Sequence, residues 1–239
     1  MEVVRVGFAA VKGAHHAAHP HATVTATGPV GDRVFCLVDP AADRCLRTIE
    51  HPALLQASAT WDGVTLRVDL PSGTVGGLPE PTGEVRTVDY WGRPTPVAVV
   101  GGAWAAAYSD HLGREVLLAR AEPGDVVYGR AVTVISTGAL AALGRDVDGA
   151  RFRATIEVSG DDPEPGTTLR VGDDLVLAVR RRVPRCAVVD HHPTTGERDL
   201  RLLKQLPVED GEPVFGVEAD VLAPGTVSTG NAVVEQPSR

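Results

Sequence analysis

The sequence is poor in aromatic residues, with three Trp, three Tyr and four Phe in 239 positions. It has only three cysteines, Cys36, Cys45 and Cys186. Val, Ala and Leu must therefore fill the core, and the odd cysteine count excludes a fully paired disulfide framework. No apolar run is long enough to span a bilayer. The longest, Val97 to Ala107, covers about eleven residues and contains two glycines. The start, MEVVRVGFAAVKG, has no long apolar segment after a basic one, so no signal peptide is expected. Reduced thiols in a cytoplasm are the simplest expectation. The net charge of −8 excludes the broad basic face that a nucleic-acid binder uses to pair with phosphates. Neither a nucleic-acid nor a membrane partner is expected.

Turn formers, by contrast, are abundant. There are 26 Gly and 18 Pro, about 18% of the chain, against an average near 12% for the two together. Both end helices, so a helical bundle is excluded and many short strands are expected. The 43% hydrophobic content supplies a real core and excludes bulk disorder. Alternation of Val4, Val6 and Phe8 with Arg5 and Gly7 predicts an opening half-buried strand. Further strands are expected at Val34–Asp39, Val64–Leu70, Val85–Asp89, Val97–Val100, Ala131–Ile135, Leu175–Val179 and Gly216–Leu222, with a loop over Gly76–Gly83. Arg151 to Val158 reads as a strand whose apolar face is Phe152, Ala154, Ile156 and Val158 and whose polar face carries Arg151 and Arg153. Gly102–Gly113 predicts one helix. Ser136-Thr137 before an Ala- and Leu-rich run predicts a second, short and hydroxyl-capped. The fold class is thus mainly β, barrel-like with a few short helices, in two β-rich halves, 1–118 and 119–239, that share a cleft.

Four arginines precede Cys186 within six positions, in Arg180-Arg-Arg-Val-Pro-Arg-Cys. Positive charge favours the thiolate, which is both nucleophile and metal ligand. An isolated cysteine is more often a small buried hydrophobe, so the sequence alone leaves both roles open. Arg151 and Arg153 suit an anion through their planar forks, or else form an ordinary solvated strand face. Lys12 and Arg33 pose the same choice. His15, His16, His19 and His21 crowd one loop, and His191-His192 follow Cys186. Such side chains ligate zinc and transition metals, though no CxxC or zinc-finger spacing accompanies them. The alternative is a polar loop titrating near neutral pH. There is no Walker loop, no GxGxxG after a strand and no GxSxG elbow.

In order along the chain stand Val11-Lys12-Gly13, Gly31-Asp32-Arg33-Val-Phe-Cys-Leu-Val-Asp39, His51-Pro52-Ala-Leu54, Ile135-Ser136-Thr137, Arg151-Phe-Arg153, Arg185-Cys186, Pro193-Thr-Thr-Gly196, Phe215-Gly216-Val217, and Pro224-Gly225 with Gly230. Together they resemble the MOSC family, the C-terminal domain type of molybdenum cofactor sulfurases. The first half resembles the β-barrel domain that precedes it in the amidoxime-reducing component and its bacterial relatives. The resemblance implies a pterin molybdenum cofactor (molybdopterin) in a cleft between the halves, with Cys186 as the thiolate ligand to molybdenum. It implies Lys12, Arg33, Arg151 and Arg153 gripping phosphate and pterin, and Ser136 and Thr137 donating hydrogen bonds. The family's arginine before the Pro52 position is Ile49 here, with Arg47 two residues away as a substitute on the same face. The family's Phe-Arg-Pro-Asn reads Phe152-Arg-Ala-Thr155, and its aspartate before the Pro193 position is His192.

The resemblance implies a molybdenum-dependent oxidoreductase that reduces N-hydroxylated small molecules. Electrons would come from an external electron-transfer protein, because the chain carries no flavin, haem or iron–sulfur motif. Two alternatives stand beside it. One is a metal-dependent lyase or hydrolase that has lost the pterin, with zinc or another divalent ion on Cys186 and some of His15, His16, His19, His21 and His192. The other is a non-enzymatic carrier holding a persulfide on Cys186.

Overall fold

The computed structural model describes residues 1–144 and 147–237. The chain is mostly β, as expected, with α-helices at Trp104–Leu112 and Thr137–Leu143 among the described residues. A nine-stranded sheet runs Ala17–His19, Val3–Phe8, Ile156–Val158, Val132–Ser136, Glu212–Ala223, Leu175–Pro184, Thr167–Val171 and Val233–Pro237, with Val208–Glu209 added on Glu212–Ala223. A closed five-stranded barrel is built from Pro81–Tyr90, Arg93–Val100, Leu117–Ala121, Phe35–Asp39 and Arg44–Cys45. Two three-stranded sheets complete the fold. One pairs Gly225–Ser228, His21–Thr25 and Gly28–Pro29; the other pairs Ser58–Trp61, Leu66–Leu70 and Gly73–Gly77.

The core follows the composition. Beneath the large sheet, Val3, Val6, Val132, Val134, Ile156, Leu177 and Val217 pack as an aliphatic layer with no Trp or Tyr. The barrel interior adds Val38, Val88, Val97 and Tyr90, together with the buried thiols of Cys36 and Cys45. Trp104 and Tyr108 of the first helix are buried against the barrel's outer neighbours. That helix stops at Gly113, whose left-handed φ of 63° suits the residue that closes a helix C-terminus. The second helix starts as expected, with the Ser136 hydroxyl accepting from Ala139 N at 3.1 Å.

The two halves are interleaved. Val3–Phe8 and Ala17–His19 lie in the large sheet, where Val3–Phe8 is antiparallel to Ile156–Val158. His21–Thr25 pairs with Gly225–Ser228. Leu117–Ala121, which runs through residue 118, belongs to the barrel. The chain thus begins in the second half's sheet, builds the barrel and returns, so the interface between halves carries covalent crossings at both ends of the barrel.

Four local readings need correction. The opening alternation is reset by a bulge between Val3 and Arg5, so Val3 and Val6 are buried while Val4 is 39% exposed. The histidine segment is two short strands with a break at Pro20, because main-chain pairing is available on both sides. Gly149–Phe152 is a 3-10 turn, with the Asp148 carboxylate accepting from Ala150 N at 2.8 Å. Arg153 then takes a left-handed φ of 52°, so a strand begins only at Ile156. Arg151 and Arg153 therefore do not share a strand face. The expected loop over Gly76–Gly83 also partly forms strand, with Gly73–Gly77 pairing to Leu66–Leu70 and a ten-residue strand starting at Pro81.

The two quoted motif segments from opposite halves meet directly. Gln56 Nε2 donates to Thr195 O at 2.8 Å, and His15 Nδ1 donates to Pro193 O at 2.9 Å. Gly196 has φ of 73°, and a Cβ placed there would lie 2.3 Å from Pro52 O. Only glycine tolerates both the left-handed backbone and that approach. Gly196→Ala is expected to destabilise the fold by about 1–3 kcal/mol, read as a lower urea midpoint at unchanged slope. An unchanged midpoint would contradict this seam.

Candidate functional site

A cavity of about 290 Å³ opens between the halves. The barrel side gives Lys12, Gly13, Arg33, Arg47, Ile49, Tyr90 and Trp91; the large-sheet side gives Arg153, Arg185 and Cys186, with Glu212. A second cavity of about 160 Å³ shares Arg33, Tyr128, Arg153, Arg185 and Cys186 and adds Thr133, Arg151 and Thr155. Cys186 therefore stands on the wall common to both.

Lys12 follows the bridge between Val11 and Phe35, with its N–H donating to Phe35 O at 2.7 Å. Gly13, at φ of 92°, turns the chain past Leu54, whose side chain a Cβ would approach to 2.9 Å. The Lys12 ammonium lies 5.1 Å from the centre of the Tyr90 ring. Burial lowers its pKa, and Arg33 and Arg153 push the same way against the opposing thiol of Cys45. Arg33, at φ of 48°, is paired with the neighbouring Asp32 carboxylate. Arg47 reaches Asp89 at 3.3 Å and Glu50 at 3.7 Å, and its guanidinium lies 4.1 Å from the Trp91 ring centre.

Arg153 donates from Nη1 to Ala14 O at 2.8 Å. Arg185 donates from Nε to Phe215 O at 2.9 Å and from Nη1 to Phe152 O at 2.7 Å, while its Nη2 is buried with no partner. Burial lowers both guanidiniums to a pKa of about 10. Arg33 reinforces the shift at Arg153, and the Cys186 thiol opposes it at Arg185. Lys12, Arg153 and Arg185 have no carboxylate partner among the described residues. All three are half-buried; a cation partly withdrawn from water without a counter-ion is disfavoured, and the simplest relief is an anion from outside the chain.

Cys186 is exposed, at the end of the long strand Leu175–Pro184 and just before the turn Ala187–Asp190. Of the four arginines before it, only Arg185 reaches the cavity. Arg180 pairs with Asp220 at 2.7 Å, Arg181 with Glu218 at 2.7 Å and Arg182 with Asp162 at 3.3 Å. The strand's twist turns them to the sheet surface, where acidic side chains of Glu212–Ala223 meet two of them.

The other expected site residues lie elsewhere. Ser136 is fully buried as the helix cap, and the Thr137 hydroxyl accepts from Gly160 N at 3.2 Å; neither lines either cavity. Arg151 borders the smaller cavity but is held by Asp199 through two bonds of 2.8 and 2.6 Å. Thr155 exchanges bonds with Thr133: each main-chain N–H donates to the other's hydroxyl, at 3.2 and 3.3 Å.

The histidines do not converge. His15 bonds to Pro193, His16 accepts from Arg5 at 3.3 Å, His19 stacks on Phe8 at 3.7 Å, and His21 is exposed. His192 accepts from Thr194. Among the described residues no three His, Cys, Asp or Glu side chains are grouped as a metal-ion site. His15 and His16 precede the short strand Ala17–His19, and His19 and His21 lie on different strands, so each ring meets its own neighbours. Cys36 and Cys45 lie buried in the barrel, where hydrogen bonding to Cys45 and burial push the Cys36 thiol up. Tyr90, Trp91 and Tyr128 line the site with only a slight signal in the sequence, as a few aromatics in an aromatic-poor chain.

The profile of the MOSC domain matches residues 110–234, just over half the chain. The chain belongs to the MOSC domain family. No curated protein matches it. Among solved structures, YuaD from Bacillus subtilis is similar over 100% of this chain and 96% of its own, at 12% identity and a TM-score of 0.48. YiiM from Geobacillus stearothermophilus is similar over 44% of this chain and 54% of its own, at 16% identity and a TM-score of 0.34. These likenesses are too distant to bear on function. The matched region of this MOSC chain includes Cys186, Arg185 and Arg153, but Lys12, Arg33 and Arg47 lie before it.

The MOSC cavity fits a phosphate-bearing cofactor with a soft metal. An exposed thiol supplies a soft ligand, three unpaired cations supply phosphate donors, and the orphan Nη2 of Arg185 leaves one donor free.

His16 is buried with Arg5, Arg153, Arg33 and His15 around it, and burial then these charges hold its pKa well below the ordinary value. The unfolded chain therefore binds a proton that the folded chain rejects. This contribution to stability is present above a pH of about 6.5 and is lost as pH falls below it. Urea midpoints taken between neutral and mildly acidic pH should fall for the wild type and fall less for His16→Gln. Parallel slopes for the two proteins would contradict the assignment.

Proposed function

We propose that this MOSC protein is a molybdenum-cofactor-dependent oxidoreductase that reduces N-hydroxylated small molecules. The observation that supports it best is the exposed Cys186 thiol on the wall of a cavity with three cations, Lys12, Arg153 and Arg185, that have no carboxylate partner. Under this reading Lys12, Arg33 and Arg153 hold the cofactor's phosphate and pterin, and Arg47 stands in where the family's arginine has become Ile49. Cys186 is the thiolate ligand. Arg185, anchored on two main-chain carbonyls, places a fixed positive charge beside Cys186. Ser136 and Thr137 act indirectly, by fixing the start of the helix Thr137–Leu143.

When bound, the molybdenum centre supplies two-electron oxygen-atom abstraction. The net reaction converts the N–OH group to N–H and water, consuming two electrons and two protons. The electrons come from a separate electron-transfer protein. The cytoplasm, with its reduced thiols, is the proposed compartment. Among the described residues no helix is long and apolar enough to cross a membrane. The reductase is preferred to a zinc-type hydrolase because His15, His16 and His19 each engage a different neighbour, Pro193, Arg5 and Phe8.

The test is reduction of benzamidoxime by protein from a cofactor-competent host, with a chemically reduced viologen as donor. Wild type should turn over, and Cys186→Ser should lose at least about 100-fold in rate, the scale of losing an essential group. Equal rates in wild type and variant would refute the role of Cys186. A Cys186 carrying one removable extra sulfur by mass spectrometry, with no reduction, would favour the carrier instead.

A further inference from the structure

Trp91 and Tyr128 are the two most exposed aromatic side chains, at 42% and 60%, in a chain with few aromatics. They come from different parts of the fold. Trp91 sits at the tip of the barrel hairpin between Pro81–Tyr90 and Arg93–Val100, in a left-handed conformation with φ of 55°. Tyr128 lies in the connection between Leu117–Ala121 of the barrel and Val132–Ser136 of the large sheet. Their rings meet with centroids 5.5 Å apart and planes tilted by 52°. Both line the larger cavity with Cys186, and Tyr128 also lines the smaller one.

Folding alone does not account for this pair. A bulky residue at positive φ is strained, and rings this exposed contribute little to the core. Yet Trp91 is held firmly. Arg47 covers its ring at 4.1 Å and is itself tied to Asp89 and Glu50. Arg47 thus fixes the indole, the Tyr128 ring borders it at a tilt, and both rings line the cavity. Pre-positioned aromatic faces favour flat conjugated groups, and stacking on them adds to simple area burial. The neighbouring Lys12, Arg33 and Arg185 disfavour a cationic group and leave neutral or anionic ones.

We infer that Trp91 and Tyr128 are specificity-determining residues of the cleft, binding a neutral or anionic planar aromatic group of the substrate by stacking. This rests on the proposed reductase reading for the identity of the reacting group, but not for the ring selectivity itself.

The test is equilibrium binding to the protein as isolated, read by calorimetry, of benzamidoxime and acetamidoxime. These share a head group and differ in the ring. Wild type is expected to bind benzamidoxime about tenfold more tightly. Trp91→Ala and Tyr128→Ala should each bring that ratio toward one while leaving acetamidoxime unchanged, and Tyr128→Phe should keep it. A wild-type ratio near one, no saturable benzamidoxime binding, or a ratio unchanged in both alanine variants would overturn the inference. So would loss of pterin content in the alanine variants with the ratio preserved, which would assign the rings to the cofactor. Failure of the reductase reading shows separately, as protein without molybdenum that still selects the ring.

Discussion

Positive charge without an internal counter-ion is the constraint around which this structure is arranged. Lys12, Arg153 and Arg185 are partly withdrawn from water, and burial depresses the pKa of each. A protein normally supplies carboxylates to such groups, because an unpaired buried charge costs several kcal/mol. Here main-chain carbonyls of Ala14, Phe152 and Phe215 hold the two guanidiniums in place without neutralising them. The acidic residues that give the chain its net charge of −8 lie elsewhere, and they neutralise Arg180, Arg181 and Arg182 on the sheet surface. The imbalance in the cleft is therefore local, and it remains as room for an anion.

The topology makes that arrangement possible. The cleft cations come from four separated stretches, around Lys12, Arg33, Arg153 and Arg185. The strand Val3–Phe8 begins in the large sheet and delivers Lys12 to the cleft, and the chain then builds the barrel whose loops deliver Arg33, Arg47 and Trp91. Gly196 against Pro52 closes the seam nearby. Rigid placement on strand ends and tight turns suits a site that must hold like charges close together, since flexible side chains would drift apart under repulsion.

Features governed by near neighbours were legible in the sequence. The Ser136 cap, the helix closing at Gly113, three of the five barrel strands and the mainly β class follow from local pattern; Arg44–Cys45 and Leu117–Ala121 do not. The prominence of Cys186 followed from its setting, though the reason differs in part: three of its four preceding arginines face away. The roles of Arg151 and Arg153 were not legible, because the Asp148 cap converts an apparent strand into a turn and because Asp199, the partner of Arg151, lies forty-eight residues away. The histidines misled by density. Four in seven positions suggest a ligand cluster, but each ring meets its own neighbours. The meeting of Trp91 with Tyr128 depends on the closure of the barrel against the sheet, which no local pattern encodes.

The central claim is that the cleft is completed by a phosphate-bearing molybdenum cofactor. Elemental analysis of protein from a cofactor-competent host tests it most directly. The account predicts molybdenum near one atom per chain, with matching phosphate from the pterin, and loss of both when Lys12 and Arg153 are replaced by alanine in protein that still melts cooperatively. Wild-type protein that carries no molybdenum, or that retains it in full after both replacements, would contradict it.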